Sequence, residues 1–349
     1  MNGDFWNGKK VLLTGHTGFK GGWMSVWLHA MGARLFGVSI DRVSDPDFFM
    51  ACDVQSLFER EWRSDIRDLQ EMRSIMTDAQ PDILIHMAAQ PIVLYGLVNP
   101  AETFAVNVVG TANVLQAAKE TPSIRAIINV TTDKVYRNLE WIWPYREGDV
   151  LGGKDPYSSS KSCADLCAQS FYLSYFKAQE VGLASVRAGN VIGGGDWAAD
   201  RLVPDFFRAL DAGQALRIRN PSSIRPWQHV LEPVSGYLNL AEQLYQAPSK
   251  YSGEWNFGPR DEDCRPVGSM IDYLADRAPV EVVYETAAND REAKLLKLDS
   301  SKAKAELGWS GRLSVERALD FCLDWHNGWH NGRALALTKS QIEAYNAKC

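Results

Sequence analysis

An α/β protein with a doubly wound parallel sheet is the fold class that the sequence predicts. Short apolar segments alternate with amphipathic helical segments, which is typical of parallel strands joined by helices. A glycine-rich turn follows the first apolar segment and polar residues follow a later one, as expected where ligands bind at the carboxyl ends of such strands. The predicted strands lie near residues 9–14, 34–40, 82–87, 125–131 and 182–187. The predicted helices lie near residues 18–31, 68–78, 101–118 and 157–177.

The composition predicts a soluble globular protein of about two lobes. The 349 residues are 46% hydrophobic and 23% charged, with a formal net charge of −6, and a chain of this length commonly forms two units. The mild acidity and the scattered basic residues argue against a nucleic-acid partner. No stretch approaches the roughly 18 apolar residues of a membrane span, and the N-terminus lacks the apolar segment of a signal peptide. We therefore expect a cytoplasmic protein without a membrane partner.

Neither the cysteines nor the histidines predict a metal site. The six cysteines are dispersed, without the density of a disulfide scaffold or paired C-x-x-C spacing, so we expect reduced thiols that serve in packing. His326 and His330 are four residues apart and would share one helix face. The neighbouring sequence supplies no third ligand, so we predict solvated histidines and no metal.

The segment GHTGFKG, directly after the first predicted strand, indicates a dinucleotide-binding turn. Gly15, Gly18 and Gly21 form a G-x-x-G-x-x-G pattern that allows a tight turn, close approach of the backbone to a ligand and close helix packing. The helix N-terminus that follows favours an anion such as a pyrophosphate. The sequence therefore predicts a Rossmann-type sheet. Its cofactor-binding candidates in this turn are Gly15, Thr17, Gly18, Phe19, Lys20 and Gly21.

The end of the second predicted strand favours NAD as the cofactor. Asp41 lies 20 residues beyond Gly21, where a carboxylate can accept hydrogen bonds from the hydroxyls of the adenosine ribose. Arg42 follows directly and could instead bind the 2′-phosphate of NADP. We therefore expect NAD, with NADP as the alternative.

Tyr157 and Lys161 predict a base for proton transfer. In a helix these two residues share one face, so the ammonium can lie near the phenol oxygen. A free tyrosine titrates near pH ~10, and a neighbouring cation must stabilise the phenolate before it can act near neutral pH. The Tyr-x-x-x-Lys spacing also occurs by chance in helices, so this assignment depends on the dinucleotide site beside it.

Three polar residues at the carboxyl end of the 125–131 strand complete the candidate catalytic set. Thr132, Asp133 and Lys134 follow the apolar segment directly. In an extended strand Asp133 and Lys134 point to opposite faces, so both reach one ligand only if the strand breaks there. The alternative is that the two charges cap the strand at the surface.

These motifs resemble the extended short-chain dehydrogenase/reductases, and among them the nucleotide-sugar 4,6-dehydratases. The segments GHTGFKG, TTDKVY, VRAGNVIGGGDW, NPSSIRPWQHVLEP and WNFGPRDED are similar to the branch that acts on CDP-glucose, and the likeness covers nearly the whole chain. The lysine after Asp133 is typical of that branch, whereas most nucleotide-sugar dehydratases have glutamate there. The resemblance adds to the cofactor site Asp65, Ile66, Ala88, Ala89, Gln90 and Asn107. The candidates for binding the nucleotide sugar, by the resemblance or by the fit of guanidinium groups to phosphate, are Asn190, Arg201, Arg219, Arg225 and Glu292.

The resemblance implies two domains and an oligomer. The dinucleotide-binding domain is expected at 1–186, with 228–257 returning to it, and a smaller C-terminal α/β lobe that binds the nucleotide sugar at 187–227 and 258–349. Family members pair the third and fourth predicted helices between subunits. A homodimer or higher homo-oligomer is therefore expected.

The resemblance also implies a reaction, the NAD-dependent dehydration of CDP-glucose to CDP-4-keto-6-deoxyglucose, as in deoxysugar biosynthesis for the lipopolysaccharide O-antigen. Tyr157, helped by Lys161 and Thr132, removes the proton of the carbon-4 hydroxyl while hydride leaves carbon 4. Asp133 protonates the departing carbon-6 hydroxyl. Lys134 is either the base at carbon 5 or a cation that stabilises the enolate there, with water or Asp133 moving the protons.

Two other functions are compatible with the sequence. One is another epimerase, dehydratase or ketoreductase of the same family with a different nucleotide sugar. It would fit two departures from the CDP-glucose branch, namely Leu94 where an arginine is expected and Lys294 where a histidine is expected. The other is a non-catalytic scaffold that senses NAD(P). A scaffold predicts a broken catalytic set, whereas every member of the set is present here.

Overall fold

The computed structural model describes residues 3–40, 44–285 and 295–347. The strands in these ranges are β1 (Lys10–Thr14), β2 (Arg34–Ser39), β3 (Phe58–Arg63), β4 (Ile83–His86), β5 (Ala126–Val130), β6 (Gly182–Arg187), β7 (Val191–Ile192), β8 (Leu216–Ile218), β9 (Ile224–Pro226), β10 (Gln228–His229), β11 (Gly253–Asn256), β12 (Cys264–Pro266) and β13 (Val282–Tyr284). The α-helices are α1 (Gly3–Trp6), α2 (Phe19–Ala30), α3 (Phe48–Ala51), α4 (Leu69–Ala79), α5 (Val93–Val98), α6 (Pro100–Phe104), α7 (Thr111–Lys119), α8 (Pro156–Phe171), α9 (Leu202–Ala212), α10 (Leu231–Gln246), α11 (Pro248–Tyr251), α12 (Val267–Ala275), α13 (Ser301–Leu307), α14 (Val315–Trp329) and α15 (Ala334–Asn346). Two π-helical segments, Ala105–Gly110 and Tyr172–Phe176, join α6 to α7 and extend α8.

Seven strands of the described chain form one parallel sheet, in the order β3-β2-β1-β4-β5-β6-β11. β1 pairs with β2 on one side and with β4 on the other, and both pairings are parallel. The direction of the strand order reverses between β1 and β4, so the loops after these strands open a crevice at the carboxyl edge of the sheet. The predicted Rossmann-type fold is confirmed.

The main sheet is covered on both faces, which explains why its central strands are apolar throughout. Val11 and Leu13 of β1 pack on one face in a core with α2, α10 and α15. Leu12, which points to the other face, packs in a core with α4, α7 and α8. A third core forms among α9, α12 and α14 in the later part of the chain.

The five predicted strands and four predicted helices are confirmed, but the prediction missed two strands of the main sheet. β3 has the sequence FEREWR and lies at the sheet edge, where Glu59 and Arg60 are exposed, so it carries no apolar run. β11 is only four residues long and adds to the other edge beside β6. Three two-stranded sheets, β7 with β10, β8 with β13 and β9 with β12, form in the described segments after β6. Within the described ranges, no helix is both long enough and apolar enough to cross a bilayer.

Candidate active site

The glycine-rich turn leads from β1 into α2 and fits a dinucleotide. Gly15 has a φ of +75°, and a Cβ there would lie 2.8 Å from the Cα of Ala88. A Cβ on Gly21 would lie 2.5 Å from the Gly15 carbonyl oxygen. Gly18 is the N-cap of α2, and no side chain among the described residues caps that end. The start of α2 therefore offers backbone N–H groups at the carboxyl end of β1, as a pyrophosphate requires.

Thr17 and Phe19 tie this turn to its neighbours. Thr17 is buried, and its Oγ1 lies 2.7 Å from the Oγ of Ser39 at the end of β2. Phe19 packs against Gly193, where a Cβ would lie 2.9 Å from the Phe19 Cζ. The turn thus contacts both β2 and the segment that follows β6.

Asn107 connects the loop after β4 to α8. Its Oδ1 accepts from the Gln90 N–H at 2.8 Å, and its Nδ2 donates to the Gln90 carbonyl at 3.1 Å and to the Ser160 Oγ at 2.9 Å. Ala88 and Ala89 lie half-buried in the same loop. These bonds hold the predicted cofactor loop against the helix that carries the candidate base.

Asp65 and Ile66 follow β3 at the edge of the main sheet. The Asp65 carboxylate pairs with the Arg67 guanidinium at 2.6 Å, and this hydrogen-bonded pair lowers the pKa of Asp65. Ile66 is buried and packs against Gly110. The contact of these residues with an adenine stays a prediction.

Tyr157 lies in the first turn of α8, which Asp155 caps through its carboxylate. The Tyr157 side chain is buried, and its hydroxyl is within hydrogen-bonding reach of Thr132. Burial raises the pKa of Tyr157. The Lys134 ammonium and the Thr132 hydroxyl act in the opposite direction, as does Arg201. Stabilisation of the phenolate by a cation is thus available at this site, with Lys134 as its main source.

The chain leaves the extended conformation after β5. This change is needed if the Asp133 and Lys134 side chains are to reach the same ligand. Residues Asp133–Val135 form a 3-10 turn that begins at Thr132, whose Oγ1 accepts from the Lys134 N–H at 3.4 Å. The Lys134 Nζ lies 3.7 Å from the Asp133 Oδ1, so both charges reach the same place. Asp133 is fully buried, whereas the Lys134 side chain is 41% exposed. Capping of the strand at the surface is therefore wrong for Asp133.

The Asp133 carboxylate has a protein partner on one oxygen. Its Oδ1 accepts from the Thr132 Oγ1 at 2.9 Å. Its Oδ2 has no hydrogen-bond partner among the described residues and lies against Gly189, where a Cβ would be 1.8 Å away. A buried carboxylate oxygen is costly to leave without a donor. The Asp133 carboxylate therefore keeps hydrogen-bonding capacity that no described protein group uses.

Two lysines belong to this site, of which Lys161 is buried and Lys20 is half-buried. Lys161 is 4% exposed, and its Nζ donates to the Val130 carbonyl at the end of β5 at 2.8 Å. Burial lowers the pKa of Lys161 to about 8, with Asp165 acting against it. Burial likewise lowers the pKa of Lys20 to about 8, and Arg201 and Lys161 add to this effect. The predicted cofactor turn and the predicted catalytic residues therefore meet in one electrostatic group.

Arg201 and Asn190 join the same group from the segment after β6. Arg201 is the N-cap residue of α9, and its guanidinium donates to the Asp196 carboxylate at 2.8 Å. This ion pair raises the pKa of Arg201. Asn190 has a φ of +46° and follows Gly189, the residue that packs against the buried carboxylate.

The contacts that the structure shows for Arg219 and Arg225 are with residues outside this group. Arg219 is exposed just after β8 and acts electrostatically on Asp205 of α9. Arg225 lies on β9 and donates to a neighbouring backbone carbonyl at 3.0 Å. Neither contact, within the described ranges, reaches Tyr157. Asp41 and Glu292 lie outside the described residues.

A buried ion pair beneath the site was not predicted. The Arg187 guanidinium donates to both oxygens of Asp165, at 2.8 and 2.9 Å, and each side chain is 1% exposed. Arg187 also donates to the Tyr136 hydroxyl, and the Thr131 Oγ1 donates to Asp165. The pair therefore joins the end of β6 to α8 next to Thr132. The one sequence signal for it is an arginine that ends the apolar segment GLASVR.

Tyr237 of α10 was also not predicted. It is fully buried, its hydroxyl has no hydrogen-bond partner in the described part of the chain, and the Lys20 Nζ lies 5.5 Å from its ring centroid. Burial raises the pKa of Tyr237, and the nearby Asp133 and Tyr157 raise it further. Tyr237 was missed because it lies in the apolar pattern of α10 and looks like an ordinary core residue.

A threonine, a tyrosine and a lysine beside a dinucleotide turn, at the carboxyl edge of a doubly wound sheet, define an extended short-chain dehydrogenase/reductase. The model of the family described as GDP-mannose 4,6 dehydratase matches residues 12–320. A CDP-glucose 4,6-dehydratase of Salmonella typhimurium is 45% identical over 350 residues, which cover 98% of this chain and 97% of that relative. The chain belongs to the GDP-mannose 4,6 dehydratase family.

Solved structures of sugar-nucleotide enzymes share the fold. A UDP-glucose 4-epimerase of Stenotrophomonas maltophila, with bound NAD and formylated UDP-arabinopyranose, has a TM-score of 0.79 at 19% identity and covers 93% of this chain and 99% of its own. A UDP-glucose 4-epimerase of Thermotoga maritima with UDP-glucose has a TM-score of 0.77 at 21% identity, over 91% and 98%. At this level of identity the likeness supports the fold alone.

Proposed function

We propose that this protein is an NAD-dependent CDP-glucose 4,6-dehydratase, a lyase that converts CDP-glucose to CDP-4-keto-6-deoxyglucose. The observation that carries the proposal is the buried Asp133 carboxylate, with the Lys134 ammonium 3.7 Å from one oxygen and no protein donor, among the described residues, on the other. Oxidation and reduction of the sugar need only the tyrosine as a base. Elimination of the carbon-6 hydroxyl also needs an acid close to that tyrosine. The Salmonella relative, 45% identical over nearly the whole chain, supports the same reaction and the same donor.

The residues of the dinucleotide turn fit NAD. Gly15 and Gly21 allow close approach of the backbone, and the start of α2 supplies N–H groups for the pyrophosphate. Gln90 and Asn107 position the loop after β4 beside it. When bound, NAD accepts a hydride from carbon 4 and returns a hydride to carbon 6.

The oxidation at carbon 4 begins with proton removal by Tyr157. Burial holds Tyr157 in the neutral form, so the phenolate depends on the cations and donors around it. Lys134 and Arg201 supply positive charge, and the Thr132 hydroxyl supplies a hydrogen bond. We also assign Lys161 to stabilisation of the Tyr157 phenolate and to orientation of the cofactor.

The elimination of water uses the two residues after Thr132. The new ketone acidifies the carbon-5 hydrogen, and Lys134 either takes that proton or stabilises the enolate. Asp133 gives a proton to the departing carbon-6 oxygen, so the products are water and an enone. The proton that Tyr157 takes balances the one that Asp133 gives, and reprotonation of carbon 5 completes the reaction.

The nucleotide diphosphate is assigned to the cations at the mouth of the site. Arg201 is the first candidate because it acts on Tyr157 and Lys20. Arg219 and Arg225 lie farther along the same lobe and are candidates for the distal phosphate and nucleoside. In this assignment residues 187–227 and 258–349 form the nucleotide-sugar lobe, and 1–186 with 228–257 form the dinucleotide domain.

A homodimer is part of the proposal. On the helices between β4 and β6, Val114 and Leu115 are buried against the sheet, whereas Val109 is 52% exposed. Large apolar side chains exposed on the same helices are Leu94, Leu97, Val98, Phe104, Val109, Leu166 and Leu173. An exposed apolar surface of this kind suits a second copy of the chain. Glutamate at Val109 or Leu166 should give monomers in light scattering after gel filtration.

The function is tested with a panel of CDP-, dTDP-, UDP- and GDP-linked glucose, with mass spectrometry of the products. CDP-glucose should lose water in the presence of NAD, and Tyr157→Phe should prevent the reaction. Loss of water from another donor alone would reassign the substrate, and a 4-epimer without water loss would overturn dehydration. We place the activity in the cytoplasm, in deoxysugar synthesis for surface polysaccharides such as the O-antigen.

A further inference from the structure

Three potential metal ligands converge between α9 and α14, away from the candidate active site. Asp211 lies in the last turn of α9, His326 lies on α14 and His330 follows its last residue. The His326 Nε2 and the His330 Nε2 lie 2.9 and 3.0 Å from the same oxygen, Asp211 Oδ1, and 3.3 Å from each other. The two histidines are i and i+4, the spacing that places two imidazoles on one side of a metal ion. The fold thus supplies the third ligand that the neighbouring sequence lacks.

The surroundings hold these side chains in place and leave one side open. The His326 ring stacks on Phe207 of α9, with centroids 4.2 Å apart, and His326 is buried. The His330 side chain is 49% exposed and that of Asp211 35%. The cleft beside them, about 700 Å³, is lined by three carboxylates, Asp211 among them, and by two arginines.

Hydrogen bonds alone do not account for all three contacts. Each imidazole can donate one Nε2–H to Asp211, but the two N–H groups then face each other across 3.3 Å. If one imidazole instead accepts from the other, its lone pair also faces the carboxylate. A cation at the centre of the three atoms makes every contact favourable, because all three atoms then point lone pairs at it.

We propose that Asp211, His326 and His330 bind a divalent transition-metal ion of the zinc or nickel class, with its remaining coordination position open to solvent. Zinc lies about 2.0–2.1 Å from nitrogen and oxygen ligands, so ligand atoms are about 3.3–3.4 Å apart at tetrahedral angles and about 2.8–3.0 Å apart at right angles. The observed separations of 2.9 to 3.3 Å lie between these limits. Two imidazoles and one carboxylate suit zinc, nickel or copper better than magnesium or calcium, which prefer oxygen ligands.

The proposed metal ion is structural. α9 carries Arg201 at its beginning and Asp211 near its end, ten residues or about 15 Å farther along the helix. An ion bound by Asp211 and by the two histidines would fasten α9 to α14 and so fix the helix whose first residue borders the active site. The inference does not depend on which nucleotide sugar the enzyme uses.

The test measures zinc binding by the full-length, untagged protein after treatment with a chelator. Equilibrium dialysis followed by metal analysis should give one Zn²⁺ per chain, and Zn²⁺ should raise the melting temperature whereas Mg²⁺ should not. Asp211→Asn and His330→Gln change exposed ligands and should each weaken Zn²⁺ binding at least about tenfold, since even groups that only orient ligands commonly contribute that much. His29→Gln, at an exposed histidine of α2, is the matched control and should bind as the wild type does.

The outcomes separate the proposal from its alternatives. Melting curves of both variants without metal establish that they fold. If the wild type binds no stoichiometric Zn²⁺, or if both variants bind it as tightly as the wild type, the site does not exist. If His29→Gln weakens binding as much as His330→Gln does, the ion lies elsewhere and the assignment is overturned. Failure of the sugar-nucleotide assay would leave these results unaffected.

Discussion

Replacement of Lys161 by methionine should stabilise the fold near neutral pH. The side chain is 4% exposed, and burial lowers the pKa of Lys161 from 10.5 to about 8. Each pH unit of such a change corresponds to about 1.4 kcal/mol, so keeping this lysine protonated destabilises the folded protein by about 3 kcal/mol at pH 7. Methionine has a similar length but loses the bond to the Val130 carbonyl, which contributes about 1 kcal/mol. The expected net gain is therefore about 2 kcal/mol.

The stability difference between the wild type and the Lys161→Met variant should depend on pH in a defined direction. Below about pH 8 the lysine is protonated in both the folded and the unfolded chain, so the full destabilisation is present. Between pH 8 and 10.5 the unfolded chain binds more protons than the folded one, and wild-type stability rises relative to the Lys161→Met variant. The advantage of the variant should therefore shrink from pH 8 upward and be lost near pH 10.5.

Equilibrium urea unfolding at pH 7 and at pH 10.5, at equal protein concentrations, measures the difference. The matched control is Lys177→Met, at an exposed lysine beyond the same helix, which should change stability by less than about 0.5 kcal/mol. A Lys161→Met variant that is less stable than the wild type at pH 7, or whose gain is unchanged at pH 10.5, would refute the reasoning. The variant should also lose oxidation at carbon 4.

Three further substitutions test the neighbours of the site. Lys134→Met should abolish water loss while reduced nicotinamide still forms, as followed by absorbance; water loss at the wild-type rate would remove Lys134 from the mechanism. Arg187→Met leaves Asp165 buried without its ion-pair partner and should lower the free energy of unfolding by about 3–5 kcal/mol in urea titrations; a loss under about 1 kcal/mol would contradict this. Gly189→Ala places a Cβ 1.8 Å from the Oδ2 of Asp133 and should slow dehydration about a hundredfold. Gly148→Ala, where a Cβ meets nothing within 4 Å, should leave the rate unchanged.

The sequence predicts the central sheet because its signal is local. The strands that became β1, β2, β4, β5 and β6 are apolar throughout, since both faces of each are covered. β3 was missed because an edge strand needs no such run, and Glu59 and Arg60 pair with residues of neighbouring elements in the fold. The π-helical segment that carries Asn107 could not be predicted, because its sequence looks like that of a continuous α-helix.

Contacts between distant segments could not be predicted from spacing. Asp211 reaches His326 across 115 residues, and Arg187 reaches Asp165 across 22 residues of unrelated pattern. The helical spacing of Tyr157 and Lys161 is correct, yet the ammonium that most lowers the pKa of Tyr157 is that of Lys134. A periodic pattern fixes which residues share a face of one element, whereas packing of several elements decides which charges meet.

The charges gathered at the site explain both its stability cost and its chemistry. Lys161 is buried and Lys20 is half-buried, and the cations Lys134 and Arg201 lie near them and Asp133. Asp165 and Asp196 offset part of this positive charge. Burial lowers the pKa of both lysines, and Arg201 and Lys161 add to this effect at Lys20. These lowered pKa values are a measure of strain in the folded protein. A ligand that carries diphosphate groups relieves that strain by adding negative charge near the same cations. The fold therefore keeps these cations at a cost in stability, and their interaction with an anionic substrate recovers that cost when the substrate binds.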